Sequence, residues 1–149
     1  MRQGRAVCID FGERRVGIAI SDPTQTIARP LKVLQVGGPA DAATQVAWEL
    51  EQLAGDPDPP VTLVVGWPRR LDGTESEQTL RVRSFVDALS ARTALPIELM
   101  DERLSSREAE SRLAAREPSW RRRKKRLDAA AAAVILQDYL DRERPKRGA

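Results

Sequence analysis

Two short apolar runs, Arg5 to Asp10 and Val16 to Ser21, stand on either side of Phe11-Gly12-Glu13-Arg14-Arg15, a pattern that demands a β-hairpin with Gly12 at its turn. Asp22-Pro23 then ends the second strand, and Leu31 to Val36 supplies a third. Beyond this opening the period changes. Gly37-Gly38-Pro39 leads into a helix whose apolar face is Ala43, Val46, Ala47, Leu50 and Leu53, and the Pro-rich stretch from Gly55 to Pro60 stops it. Val61 to Gly66 is continuously apolar, as in a strand buried on both faces. After the Asp72-Gly73 turn, Thr74 and Glu77 form a capping box for a helix carrying Leu80, Phe85, Val86 and Leu89. Pro96 to Met100 reads as a fifth strand, and Ser105 with Glu108 as a second capping box. A last helix runs from around Leu127, with Ser119 as the earlier alternative start, to Leu140. Hairpins followed by strand and helix alternation give an α/β fold: a five-stranded mixed sheet, its first three strands antiparallel, with helices on both faces.

At 149 residues this is one domain, 1–149, ending in a basic tail at about 142–149. The chain contains no His and a single Cys, Cys8, inside an apolar run. A His general base, a Cys-His pair and every Cys/His zinc arrangement are therefore excluded. No apolar stretch has signal-peptide or transmembrane length, so a cytoplasmic protein without a membrane partner is expected.

Carboxylates are the chemistry that remains. Asp10 ends the first strand, Asp101-Glu102 follow the fifth, and Asp128 lies in the last helix. In open sheets ligands gather at the carboxyl ends of the strands, which puts these acids near one edge if the first and fifth strands are neighbours. Asp10, Asp101 or Glu102, and Asp128 can supply the oxygen ligands that Mg2+ or Mn2+ takes, and two such ions about 3.5 to 4 Å apart can act on a phosphodiester. Each acid singly also has an ordinary use: a strand-end turn residue, a helix N-terminal charge, a surface ion-pair partner.

Net charge is only +3, but its distribution is uneven. Arg121 to Arg126 form six consecutive cations, and Arg142, Arg144, Lys146 and Arg147 follow in the tail. A run of cations at a helix start opposes the macrodipole, so Arg122, Arg123, Lys124 and Lys125 are better suited to a phosphate backbone than to helix stability. A solvated loop is the plainer alternative. Gly66-Trp67-Pro68 presents Arg69 and Arg70 on a rigid turn.

Taken in order, several segments resemble the YqgF family, also called RuvX or Holliday-junction-resolvase-like proteins. They are Asp10-Phe11-Gly12 with Arg15 to Asp22, Ala28-Arg29-Pro30, Val64 to Pro68, Leu71 to Glu75, Asp101 to Ser106 with Glu108-Ala109, and Leu127 to Ala131. The resemblance spans nearly the whole chain. It implies a ribonuclease-H-like fold and an endonuclease acting on structured nucleic acid, with a role in trimming the 5′ end of precursor 16S ribosomal RNA. Branched DNA is the alternative substrate, and an RNA-binding assembly factor with little turnover the alternative function. By position the family acids fall on Asp10, on Glu102 or Asp101, and on Asp128, with Arg15, Arg69, Arg70, Arg103 and the basic run as substrate contacts. The small ribosomal subunit is an implied partner, and the chain a monomer or weak homodimer. Trp67, Arg69-Arg70 and Ser105-Ser106 depart from the usual family residues, and none of them is an acid. Asp10-Phe11-Gly12 also resembles the first strand of actin-like ATPases, but 149 residues leave no room for their second lobe.

Overall fold

The computed structural model describes residues 4–67, 77–101 and 120–147, with the backbone alone for 120–128 and 144–147. Strands β1 (Arg5–Phe11), β2 (Arg15–Ser21) and β3 (Ala28–Gln35) precede helix α1 (Pro39–Leu53). Strand β4 (Pro60–Trp67), helix α2 (Glu77–Ser90), strand β5 (Ile97–Asp101) and helix α3 (Trp120–Arg147) follow. The five strands form one sheet in the order β3-β2-β1-β4-β5. β1, β2 and β3 pair antiparallel, whereas β4 runs parallel to both β1 and β5.

Alternation along the strands divides the interior in two. On one face Val7, Ile9, Phe11, Val16, Ile18, Leu63 and Val65 pack against Val46 and Leu50 of α1 and Val82, Phe85 and Leu89 of α2. The rings of Phe11 and Phe85 stack at 5.0 Å. On the other face Ala6, Cys8, Ala19, Val64 and Met100 meet Ala132, Ile135, Leu136, Tyr139 and Leu140 of α3. Small residues on both sides of that second layer let the helix lie close to the sheet. Ala132 is fully buried in this layer, while Ala131 and Val134 of α3 form a small separate cluster.

Four details differ from the sequence reading. Strand β3 begins at Ala28 and runs through Pro30. Among the described residues β3 pairs only with β2, so a missing N–H at Pro30 is tolerated on its outer edge. Leu80 is 52% exposed, because it stands well over a quarter-turn away from the stripe of Val82, Phe85 and Leu89. Helix α3 continues past Leu140 to Arg147, where Arg142, Glu143 and Arg144, good helix formers, extend it and Pro145 falls only in its last turn. Finally, β4 lies between β1 and β5, so those two strands are not neighbours. The second capping box and Thr74 of the first lie outside the described residues.

Candidate nucleic-acid site

Asp10 occupies the next-to-last position of β1, the central strand, and is half-buried. Its neighbours across the sheet are both glycines: Gly17 is its register partner on β2, and Gly66 follows Val65, the partner of Ile9, on β4. Counting from Cys8, Ala19 and Val64, which belong to the α3 layer, Asp10, Gly17 and Gly66 all point to the α3 face. The carboxylate therefore stands over a floor without side chains on either side. A glycine inside a strand weakens it, and a close approach of another group is the usual compensation. In the sequence the signal for it is Gly17 and Gly66, each a glycine inside an apolar strand run.

Arg15 opens β2 on the same face and edge, two positions from Gly17. Gly12 makes the turn between them, donating its N–H to the Arg15 carbonyl at 2.9 Å. A Cβ at Gly12 would come within 2.8 Å of that oxygen, so the tight turn has no room for a side chain.

Strand β5 separates the two candidate acids at its end. Gly66 pairs with Met100 and Trp67 with Asp101. Met100 belongs to the α3 layer, whereas Ile97, of the same parity as Asp101, packs with the α1 and α2 layer. Asp101 therefore shares the edge with Asp10 but belongs to the opposite face. Glu102, Arg103, Arg69 and Arg70 lie outside the described residues.

Helix α3 is held in place by Gln137, whose side chain accepts from the Ala28 N–H at 2.9 Å and donates to the Thr26 carbonyl at 3.0 Å. Ala28 pairs with Ser21, and Ser21 Oγ accepts the Ala6 N–H, so Gln137 sits level with the start of β1. Buried positions of α3 run back from Leu140 to Ala129, so the preceding turns cross the sheet toward its opposite edge. From Gln137 back to Asp128 the helix rises about 13 Å, at ~1.5 Å per residue. From Ala6 to Asp10 the strand advances about 13 Å, at ~3.3 Å per residue. Position 128 lies on the helix that covers the face carrying Asp10, nine residues before Gln137. Arg121 to Arg126 occupy the turns before it, with no acid in the first turn. Among the described residues no three acids gather into a metal-binding group.

The profile of the RuvX family, described as Holliday junction resolvase, matches residues 4–142. The chain belongs to this family. A relative from Anaeromyxobacter dehalogenans, named "Putative pre-16S rRNA nuclease", is 42% identical over 95% of this chain and 99% of its own length. One of the same name from Pelotomaculum thermopropionicum is 37% identical over 97% and 92%. The structure of Thermus thermophilus RuvC in complex with a Holliday junction substrate superposes with a TM-score of 0.53 at 14% identity, covering 93% of this chain and 95% of that one. The RuvX chain therefore has the ribonuclease-H-like fold and is a member of a nuclease family. No helix among its described residues is long and apolar enough to cross a membrane.

Proposed function

We propose that the RuvX chain is a cytoplasmic, metal-dependent endonuclease that hydrolyses phosphodiesters in structured RNA at the 5′ end of precursor 16S ribosomal RNA, in contact with the small ribosomal subunit. The observation that carries this reading is the setting of Asp10: a central-strand carboxylate between two glycines, on the face that α3 covers. Names shared by close relatives support the substrate.

The donor set fits a hard cation. With no His and one buried Cys, oxygen atoms are the ligands this chain offers, as Mg2+ or Mn2+ prefers. Asp10, Glu102 and Asp128 would hold the metal. Asp101 is set aside, because its strand parity belongs to the other face. When bound, the metal would lower the pKa of a water and stabilise the leaving oxygen. Gly17 and Gly66 keep the floor beside Asp10 clear for a phosphate, Arg15 faces the same space, and the basic run on α3 grips the backbone nearby. Opposed carboxylates repel one another, so the cation is expected to bind weakly until substrate phosphates complete its shell.

The family description as a Holliday junction resolvase makes branched DNA the competing substrate. Both are tested by comparing the unaltered chain with Asp128→Asn on a precursor 16S fragment and on a four-way DNA junction, in saturating Mn2+. RNA cleavage should fall by orders of magnitude in the variant while RNA binding persists. Equal cleavage by the two proteins would remove Asp128 from the site, and cleavage of the junction alone would replace RNA by DNA as substrate.

A further inference from the structure

A concavity opens on the other side of the edge that carries Asp10. It has a volume of about 730 Å³ and lies between the β1–β2 turn, the turn leading into α1 and the first turns of α2. Its apolar wall is Phe11, Val36 and Pro39, and its charged residues are Glu13, Arg14, Asp41 and Arg81.

The two acids are already engaged. Glu13 is ion-paired with Arg81, and Asp41 Oδ2 accepts from the Gly37 N–H at 2.8 Å and from Gln45 Nε2 at 2.9 Å. Arg14 is exposed, and its guanidinium has no partner among the described residues. Among the described residues the cleft thus offers an apolar wall, one cation without an ion-pair partner, Arg14, and a second, Arg81, already paired with Glu13. A peptide helix would need a longer apolar groove, whereas one phosphate with its sugar and base matches the exposed Arg14 guanidinium beside a short apolar wall.

Position along the chain connects this cleft to the acids. Phe11 directly follows Asp10, about 3.3 Å further along β1, and faces the opposite side of the sheet. One nucleic-acid strand advances ~3.4 Å per nucleotide along a duplex axis and further when extended, so a strand whose scissile phosphate sits over Asp10 crosses Gly12 within a few nucleotides. We infer that this cleft is a binding site for an unpaired segment of the substrate strand, with Arg14 contacting one phosphate and a nucleotide lying against Val36 and Pro39. The assignment rests on the nuclease reading above and adds to it a requirement for single-stranded RNA on one side of the cut.

The test uses the full chain and oligoribonucleotides that carry a stem and an unpaired flank, shortened by three nucleotides from the 5′ end or from the 3′ end. Wild type should lose affinity on one of the two truncations. Arg14→Ala should bind the untruncated RNA about three- to tenfold more weakly, and its log-log salt slope should flatten by about 0.7, the value for one phosphate on a single strand. Its affinity should then be insensitive to the truncation that weakens wild type. Gln35→Glu, which adds an anion to the rim, should act in the same direction, and Arg14→Lys should restore most of the loss. If both variants respond to truncation as wild type does, the nucleic-acid assignment is overturned and the cleft is left to a protein partner. If wild type binds none of these RNAs, the RNA-nuclease reading fails and the cleft assignment with it.

Discussion

Gln137→Ala tests whether α3 is set on the sheet by one side chain. Gln137 makes two hydrogen bonds to the backbone at the start of β3, at Ala28 and at Thr26 just before it, and a third, exposed one to Asp141 at 3.0 Å. Truncation leaves the partly buried Ala28 N–H without its acceptor, which costs about 1–3 kcal/mol. The Thr26 carbonyl is exposed and regains water, so its bond adds little, and alanine returns a few tenths of a kcal/mol in helix propensity. A net loss of about 1–2.5 kcal/mol remains. For a chain of this size each kcal/mol moves the midpoint by about 2–4 °C, so the melting temperature should fall by roughly 2 to 10 °C. Thermal unfolding followed by circular dichroism measures it. Gln137→Glu keeps the acceptor for Ala28 but places a second carboxylate beside Asp141, so it should fall between the two. Because the same contact fixes the height of α3, cleavage should drop more than RNA affinity in the alanine variant. A midpoint within about 1 °C of wild type, with unchanged turnover, would refute the idea that this contact sets the helix.

Two further outcomes follow from charge. RNA affinity should fall steeply with salt, and Arg122→Ala or Lys124→Ala should each flatten the log-log slope by about 0.7 to 0.9; an affinity independent of salt would rule out phosphate contacts by the basic run. Burial would raise the Asp22 pKa, but the amide of Ile27, the hydroxyl of Thr24 and the amides of Thr26 and Thr24 outweigh it and hold the carboxyl at about 2. The folded pKa lies below the unfolded one, so this stabilisation is present above the unfolded value near 4 and is lost as pH falls toward 2. The stability advantage of wild type over Asp22→Asn, measured by urea unfolding, should shrink across that window; a constant difference would contradict it.

What the sequence displayed was local. The β1–β2 hairpin, the Pro39 start of α1 and the stripe of Val46 and Leu50 follow from turn chemistry and period, and each is where those signals put it. Parallel pairing is not local, and nothing in the residues of β4 says that it inserts between β1 and β5. Pro30 and Leu140 misled for the same reason: a proline stops a strand only if its N–H is needed, and a helix ends at its apolar stripe only if nothing favours continuing. The difference between Asp101 and Glu102 was closer to legible. Given Met100 as a core residue, alternation alone assigns Asp101 to the other face, but which layer Met100 belongs to depends on the sheet order.

The sheet order also bears on how the proposed site would work. β1 is paired on both sides, so Asp10 is held by two ladders and by glycines that cannot push it aside. Among the described residues β5 pairs on one side only, and α3 rests on the sheet through Ala132, Ile135, Leu136, Tyr139 and Leu140 and the Gln137 contact. One proposed ligand thus lies on a strand paired on both sides, while Asp128 belongs to a helix that packs on the sheet and Glu102 follows the last described residue of β5 in the sequence. Mg2+ demands near-ideal octahedral geometry and dehydrates reluctantly, so such a trio binds it poorly alone. A substrate phosphate that bridges metal and basic run would supply the missing constraint. Metal affinity and RNA affinity should then rise together, each ligand tightening the other by the same factor.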